Sequence, residues 1–362
     1  MYEICLVNER MDDMKLECNK KDEMTPIQRS EAIANGRDYD RVPMDPFLGE
    51  IKARYINKNT REYWLDRDNL VEAEIRSFNK FGYDGLSVGP NAYGIAEAIG
   101  IKAHYPEKGL IYVEKHRLDD ISEVRNLDMI NMDSGNLRMY YEATEILRTL
   151  GDGIVPVGAD LSGPLTLAGF VLGTEKLLKS MIKKPEEVHL LLRYITECIK
   201  YVSDEFSKLD VGFSLADPIA SITMISPKMY EEYALPYTKE ICSHLYEKHG
   251  KKPSYHVCGS TEKAWKFIKK TGIGCFSIDN QIDIDDACEY FSNDCMIAGN
   301  VDPVKIICEG SKEDIEREVQ RCIKASKKNN KGFILTPGCN LPLTTSDENI
   351  EYFMDAGRKF GK

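Results

Sequence analysis

A histidine and a cysteine lie two residues apart in the stretch YHVCGST, which begins at residue 255. If this stretch is a β-strand, the side chains of His256 and Cys258 point to the same face. Imidazole nitrogen and thiolate sulfur are ligands that zinc prefers, and a catalytic zinc site keeps one coordination position open for substrate. The pair is therefore either part of a metal site or a buried core pair, and its spacing alone leaves both interpretations open.

A third candidate ligand, the thiol of Cys339 in the stretch LTPGCNLP, follows a different predicted strand. If both strands belong to one barrel, Cys339 points into the same opening as His256 and Cys258. Ordinary turn formation accounts for Gly, Asn and Asp at strand ends, but it explains histidine and cysteine there poorly. The residues therefore predict a zinc site formed by His256, Cys258 and Cys339.

The elements that must position these side chains are short apolar runs that alternate with longer amphipathic stretches, a pattern typical of repeated βα units. Eight runs are predicted to be strands, and they begin at Arg41, Asp84, Gly153, Val211, Pro253, Cys275, Cys295 and Phe333. This α/β pattern predicts a single (β/α)8 TIM barrel, whose active site forms at the C-terminal ends of the strands. Residues 1–40 are predicted to form an N-terminal helical cap, residues 41–362 the catalytic barrel, and residues 92–149 an insertion after the second strand.

Several other predicted strands end in side chains that bind ligands or move protons. We interpret Asn300 and Asp302 as candidates for cofactor binding, although turn formation explains Asp302 and Asp160 equally well. Tyr93 and Tyr255 lie near predicted strand ends, where a phenol can donate a proton to a leaving oxygen. The alternative for both tyrosines is ordinary packing with a hydrated hydroxyl group.

Composition excludes several classes of partner. The chain has 362 residues, of which 42% are hydrophobic and 30% charged, enough for a large core. A net charge of -11 disfavours nucleic acid and an anionic membrane as partners, because both would repel this surface. The sequence shows neither a secretion signal nor an apolar run long enough to span a membrane. Eleven scattered cysteines are then typical of reduced thiols, so the sequence predicts a cytoplasmic protein.

The stretches VGADLSGPLTLAGFVLGTEKLL, YHVCGST, IAGNVDP and LTPGCNLPLTTSDENI resemble the uroporphyrinogen decarboxylase superfamily, in particular its zinc-dependent, corrinoid-linked methyltransferase branch. In that branch a His-x-Cys pair and a later Cys hold the metal, and these match His256, Cys258 and Cys339. The resemblance implies Zn²⁺ and a partner protein that carries a corrinoid (cobalamin). Relatives can offer an acidic residue after the sixth strand, and Asp279 stands there where a glutamate is expected. Asp279 is a candidate fourth ligand and catalytic residue, or else it caps a turn or orients His256.

The resemblance leaves three reactions to weigh. Decarboxylation is disfavoured, because VPMDPFLGEIKARY keeps only Arg54 where the decarboxylases carry an R-Q-A-G-R type motif. The N-terminal half resembles O-demethylase enzymes, which implies methyl transfer from a small methylated aromatic substrate, a phenyl methyl ether, to the Co(I) corrinoid. The alternative is a methylcorrinoid transferase that methylates a thiol such as coenzyme M, or tetrahydrofolate. The absence of an obvious cationic cluster for the sulfonate of coenzyme M favours the ether.

A structural zinc site in a binding protein is a further hypothesis, from a different class. Structural zinc sites commonly use closely spaced pairs of cysteines, and this sequence lacks them. The oligomeric state is not encoded in a readable pattern, and a homodimer is kept as one option.

Overall fold

The central element is a parallel β-sheet whose strands follow the apolar runs of the sequence. The computed structural model describes residues 14–362. Its strands are β1 (Leu86–Ser87), β2 (Lys102–His104), β3 (Tyr112–Lys115), β4 (Val157–Ser162), β5 (Gly212–Ala216), β6 (Ser254–Val257), β7 (Cys275–Ile278), β8 (Met296–Val301) and β9 (Phe333–Pro337). Seven of them pair in parallel in the order β1, β4, β5, β6, β7, β8 and β9, and they curl into a barrel.

A short segment around Met44 lies in the gap between β9 and β1, where the sequence predicts the first of the eight strands. Met44 forms a single parallel bridge with Leu335 of β9, and the Asp45 N–H donates to the Leu335 carbonyl at 3.1 Å. On the other side, the Asp84 N–H donates to the Met44 carbonyl at 2.9 Å. Proline residues flank this segment and have no N–H group, so they cannot extend the ladder. The predicted (β/α)8 barrel is confirmed, with its first strand reduced to one bridge.

Helices surround the barrel and connect its strands. They are α1 (Pro26–Ala34), α2 (Thr60–Trp64), α3 (Arg67–Phe81), α4 (Gly94–Ile99), α5 (Leu137–Leu150), α6 (Pro164–Leu172), α7 (Thr174–Lys183), α8 (Pro185–Ser207), α9 (Pro227–Met229), α10 (Leu235–His249), α11 (Trp265–Ile268), α12 (Ile284–Tyr290), α13 (Lys312–Ser326) and α14 (Asp347–Phe360). Short 3-10 turns cover Gly49–Ile56, Ile121–Asn126, Pro218–Ala220 and Glu262–Ala264, and π-helical turns cover Tyr230–Ala234 and Pro303–Cys308. Within the described part of the chain, none of these helices has the length and apolar character that a membrane crossing requires.

The long connection after β1 folds as the predicted insertion. It contains α4, the antiparallel pair β2 and β3, a 3-10 turn and α5 before the chain returns to the barrel at β4. Its buried residues, including Ile95, Leu118, Ile121 and Tyr140, join the same apolar core as the barrel residues. The insertion is therefore packed onto the barrel and does not form a core of its own.

Helix α1 of the predicted cap is tied to the barrel by buried ion pairs. Arg29 in α1 is fully buried and binds Asp40 at 2.7 Å as well as Asp84, next to β1. The second oxygen of Asp84 accepts from Arg41 at 2.6 Å. Removing one partner of such a buried pair leaves an uncompensated charge, which typically lowers the free energy of unfolding by about 3–5 kcal/mol. These contacts cross the boundary at residue 40, and the division of the chain there stays a prediction.

The barrel strands separate an apolar outer layer from a polar interior. Outward-facing side chains are buried against the helices, and they include Phe213, Leu215, Tyr255, Val257, Phe276 and Ile278. The alternate positions point into the interior of the barrel, which we call the lumen, and they include Asp160, Ser214, Ser254, His256 and Ser277. Because side chains alternate along a strand, one apolar face and one polar face follow directly from the sequence pattern.

Candidate metal centre

His256 and Cys258 lie at the carboxyl edge of the barrel, the edge at which its parallel strands end. His256 is the last residue of β6 that pairs with β5, and its side chain points into the lumen. Cys258 follows the strand on the same face. The His256 Nε2 atom lies 3.2 Å from the Cys258 sulfur. Both side chains are half-buried, so they are accessible from the carboxyl edge.

Cys339 completes a three-residue cluster with this pair. The His256 Nε2 or Nδ1 atom and the sulfurs of Cys258 and Cys339 all lie within 4.8 Å of one another. One imidazole and two thiols form a donor set that suits Zn²⁺, and three protein ligands leave a tetrahedral position for a substrate atom. The residues present therefore fit a catalytic zinc ion.

The close approach of two strand ends brings Cys339 to this position. Gly338 follows β9, and its N–H donates to the Val301 carbonyl at 2.9 Å. A Cβ atom at Gly338 would lie 2.2 Å from the backbone nitrogen of Asn280, so no larger residue fits without a backbone shift. Glycine is thus required where the chain after β9 crosses the end of β7.

A second glycine shapes the chain after Cys258. Gly259 has a φ of +73°, a conformation that L side chains rarely adopt. Its N–H donates at 2.8 Å to one oxygen of the Asp279 carboxyl group. The turn directs the chain away from the strand and leaves the Cys258 sulfur facing the cluster.

Even with no metal bound, the contacts within the cluster favour ionisation of one of its two thiols. Hydrogen bonds from Cys258 and His256 lower the pKa of Cys339 to about 4. The interaction with Cys339, together with burial, raises the pKa of Cys258. The two thiols thus titrate as a coupled pair, and Cys339 is the one that ionises more readily.

Ser277 in β7 holds the imidazole of His256. It lies directly opposite His256 in the strand register, and the His256 Nδ1 atom is 3.1 Å from its hydroxyl oxygen and 3.2 Å from its carbonyl oxygen. A proton on Nδ1 directed at these oxygens leaves the Nε2 lone pair for the cluster. Sequence reasoning missed Ser277, because a serine two residues before Asp279 carries no signal until the pairing of β6 with β7 is known.

Replacing Ser277 with alanine is expected to weaken zinc binding roughly 10- to 100-fold, because the imidazole loses a partner that fixes its orientation. Zinc affinity measured by competition with a chelator checks this expectation. Ser254→Ala is the matched control, since Ser254 lies one layer deeper on the same face of β6 and makes no hydrogen bond to His256 in the described structure. Equal affinities for the two variants would contradict the role of Ser277.

Asp279 lies beside the cluster, but its carboxyl oxygens are used by backbone groups. One accepts from the Gly259 N–H and the other from the Gln281 N–H at 2.9 Å. The side chain is 6% exposed. This arrangement favours the interpretation that Asp279 caps the turn after Cys258 over the interpretation that it is a fourth ligand.

Asn300 and Asp302, the candidates for cofactor binding, also hold backbone segments. The Asn300 amide donates to the carbonyls of Asp279 and Ile282 at 3.0 and 2.7 Å, and the side chain is 1% exposed. Asp302 accepts at 2.9 Å from two N–H groups at the start of the π-helical turn Pro303–Cys308. These contacts support structural roles for both residues and lend no support to cofactor binding.

The two tyrosines are not part of the cluster. Tyr255 is fully buried on the outer face of β6, and its hydroxyl lies 3.5 Å from that of Tyr230 in the helical layer. Adjacent residues of a strand point to opposite faces, so this placement lends no support to Tyr255 as a proton donor beside His256. Tyr93 donates its hydroxyl proton to the Ile111 carbonyl at 2.8 Å and stacks on Phe170, which indicates packing.

A further carboxyl group points into the lumen from a strand end for which the sequence leaves two explanations open, ligand chemistry and turn formation. Asp160 of β4 is exposed to the lumen, and it accepts hydrogen bonds from Ser214 at 2.5 Å and from Ser87. In register it is level with Ser214 and Ser254, one layer deeper than His256. Asp160 thus places a carboxyl group on the same lumen-facing side of the barrel strands as the metal-ligand cluster.

Comparison with known proteins was made for the whole chain. The methylcobamide:CoM methyltransferase MtbA of Methanosarcina acetivorans is 24% identical over 345 residues, which cover 93% of this chain and 99% of that protein. The methylated-thiol--coenzyme M methyltransferase of Methanosarcina mazei is 24% identical over 342 residues, covering 92% of this chain and 89% of that protein. Among solved structures, a methyltransferase from Methanosarcina mazei superposes with a TM-score of 0.84 at 19% identity, covering 93% of this chain and 99% of that one.

The solved structure shares the fold, and the two sequence relatives match nearly the full chain. A family profile identifies the family to which the chain belongs. The profile named Uroporphyrinogen decarboxylase (URO-D) matches residues 25–360, which include the whole barrel and all three residues of the metal-ligand cluster. Its similarity to methylcobamide methyltransferases fits the corrinoid methyltransferase branch of one family. The chain therefore belongs to that family, the uroporphyrinogen decarboxylase (URO-D) family.

Proposed function

We propose that the protein is a corrinoid-dependent methyltransferase that moves a methyl group from the corrinoid of a partner protein to a small thiol. The observation that carries this proposal is the cluster of His256, Cys258 and Cys339 at the carboxyl edge, whose three donors would leave one position of a tetrahedral ion for a substrate. Zinc bound there would supply a Lewis acid that lowers the pKa of a coordinated thiol. The names of the two sequence relatives, a methylcobamide and a methylated-thiol transferase, support the same assignment.

The choice of a thiol over an aryl ether reverses the expectation drawn from the N-terminal half of the sequence. Both sequence relatives reported above are named for coenzyme M, itself a thiol, and neither is named for an ether. The same three ligands serve either direction of transfer, so the cluster does not favour the ether. We therefore keep ether demethylation as the outcome that would overturn the thiol assignment.

Decarboxylation of a porphyrinogen is a poor fit to the residues around Arg54. Its guanidinium group donates to the Thr345 carbonyl at 2.8 Å and pairs with Asp347. A substrate with many carboxylates needs several free cationic side chains, and bidentate arginine contacts are the effective ones. Arg54 is the only arginine of its stretch, and both of its terminal nitrogens already donate to protein groups.

The partner corrinoid protein is proposed to dock at the carboxyl edge. Three loops of this edge expose apolar side chains, namely those of Met224 after β5, Val304 after β8 and Leu343 after β9, which are 38–46% exposed. An apolar rim around a polar centre is typical of a protein interaction surface. The corrinoid must come within bonding distance of a substrate held at the cluster, and these three loops lie at the same edge of the barrel as the cluster.

The proposed function is tested by methyl transfer in both directions. Methylated corrinoid protein is incubated with thiols, and reduced corrinoid protein is incubated with a panel of aryl methyl ethers. We expect thiol methylation and a slower rate with free methylcobalamin, which lacks the docking surface of the protein-bound form. Ether demethylation without thiol methylation would reject the thiol assignment, and activity in neither direction would reject the methyltransferase.

The charge of the side chains in the lumen indicates which thiols the protein accepts as substrates. Asp160 lies two strands from β6, a separation of about 10 Å. Its carboxyl group disfavours an anionic end group on the substrate, whereas the partly buried ammonium group of Lys52 is already paired with Glu74. Coenzyme M, 2-mercaptoethanol and cysteamine are two-carbon thiols with anionic, neutral and cationic end groups. We expect kcat/KM to be lowest for coenzyme M among the three.

Asp160→Asn is expected to raise kcat/KM for coenzyme M relative to 2-mercaptoethanol roughly tenfold, the size of a charge interaction over about 10 Å at an effective dielectric constant near 20. Asn retains the size of the side chain and can still bond both Ser87 and Ser214, accepting from one hydroxyl group and donating to the other. A preference for coenzyme M in the wild type, unchanged in the variant, would show that Asp160 does not select the end group.

A further inference from the structure

A second cluster of metal-binding side chains lies on the outer helices. Asp204 belongs to the last turn of α8, and His244 and His249 belong to the C-terminal part of α10. The His244 Nε2 atom lies 2.8 Å from an oxygen of Asp204, and the His249 Nε2 atom lies 2.6 Å from the same oxygen. All three donor atoms lie within 4.8 Å of one another.

This cluster is far from the catalytic one in the fold. Helices α8 and α10 end a few residues before β5 and β6 begin, so their C-terminal turns lie at the amino edge of the barrel. His256 and Cys258 lie at the opposite, carboxyl edge. A ligand at Asp204, His244 and His249 therefore cannot be shared with the candidate catalytic site.

The donor set is chemically matched to a divalent transition metal ion. Two imidazoles and one carboxylate are common ligands of Zn²⁺, Co²⁺ and Ni²⁺. The three side chains are 17–26% exposed, so they are partly shielded from water yet reachable by an ion and its remaining water ligands. The C-terminal ends of two helices meet here, and their dipoles favour positive charge.

Lys248 holds the carboxylate in place. Its ammonium group binds the other oxygen of Asp204 at 2.6 Å and leaves the first oxygen facing the two imidazoles. Partners of this kind orient a metal-ligating carboxylate. The two Nε2 atoms would move outward by about half an ångström to reach the N···O separations of a tetrahedral zinc site, since Zn–N and Zn–O bonds are about 2.0–2.2 Å long.

We propose that Asp204, His244 and His249 bind a divalent transition metal ion that cross-links α8 and α10, independently of the catalytic zinc and of the substrate. The alternative is a clamp in which both imidazoles and Lys248 only donate hydrogen bonds to Asp204. The two interpretations differ in the number of metal ions bound and in the ligands of the second ion.

Cobalt(II) distinguishes the two sites by spectroscopy. The catalytic cluster contains thiolates, so Co²⁺ bound there gives a sulfur-to-cobalt charge-transfer band in the near ultraviolet, whereas a site with only nitrogen and oxygen ligands does not. The full chain, freed of metal, is titrated with Co²⁺ while the charge-transfer and visible d–d bands are followed. We expect two equivalents, one with and one without the thiolate band.

His244→Gln and Asp204→Asn should each lose the equivalent that lacks the thiolate band and keep the other. Lys248→Gln is the matched control, because it changes a neighbouring side chain of the same cluster and leaves all three ligands. We expect it to retain both equivalents, bound at most about 100-fold more weakly at the second site.

Thermal unfolding provides a readout that does not depend on the stability of any variant. Added Zn²⁺ should raise the Tm of the wild type beyond the first equivalent, because an ion that binds only the folded state stabilises it. The same excess should leave the Tm of His244→Gln unchanged. One equivalent in the wild type, all of it with the thiolate band, would overturn the proposal, and so would a second equivalent that persists in both ligand variants.

Discussion

Replacing Cys339 with alanine is expected to remove most of the bound zinc and to lower methyl transfer by at least two to three orders of magnitude. The substitution deletes the ligand with the lowered pKa, and it leaves His256 on β6 and Cys258 just after it. Loss of one preorganised electrostatic group at a reacting centre typically costs about 10²–10³ in kcat. Zinc analysis and the methyl-transfer assay measure the two effects separately.

Cys308→Ala is the matched control for this variant. Cys308 is also half-buried and follows β8, but its sulfur faces the Thr344 hydroxyl at 3.6 Å and not the cluster. We expect wild-type zinc content and activity from it. Circular dichroism should show the same fold in both variants, and stoichiometric zinc in Cys339→Ala would remove Cys339 from the site.

Replacing Gly338 with alanine is expected to weaken the metal centre without changing any of its ligands. The new methyl group would lie 2.2 Å from the Asn280 nitrogen, so the chain after β9 must move away from β7 and take Cys339 with it. Overpacking of this kind typically destabilises a protein by about 1–3 kcal/mol. We expect zinc affinity to fall more than tenfold, measured by chelator competition, with a lower Tm.

Gly212→Ala separates this steric effect from a general effect of glycine replacement. Gly212 begins β5, and a Cβ atom there would meet nothing within 4 Å. Neither glycine has a φ in the left-handed region, so backbone strain does not distinguish them. Wild-type zinc affinity in Gly338→Ala would show that the crossing of β9 and β7 can adjust without displacing Cys339.

The positions of the strands could be predicted from the sequence, because a barrel buries one face of each strand and the apolar runs are short and regular. The first strand could not be predicted in its real form. Its apolar pattern is present, but the prolines beside Met44 remove the donors that a longer ladder needs. The strand pattern also predicts that His256 and Cys258 lie on one face, because side-chain direction on a strand has a period of two.

The supporting side chains of the site depend on register, which the sequence does not encode locally. Ser277 contacts His256 only because β6 and β7 pair at that level. Asn300 and Asp302 have the residue types of ligands, and only the structure shows that their polar groups are used by carbonyl and N–H groups. Tyr255 is next to His256 in sequence, but adjacent residues of a strand point to opposite faces, so nearness in sequence does not place its hydroxyl at the cluster.

The bridge at Met44 has a consequence for the order in which the barrel folds. Met44 and Leu335 are paired although they lie about 290 residues apart in the sequence, and β9, which leads to Cys339, is held in part by this pairing. Contacts of such long range form late, since the intervening chain must first be ordered. Zinc affinity should then be a sensor of completed folding: an intermediate in which β6 is formed but β9 is unpaired offers His256 and Cys258 alone and holds the ion only weakly.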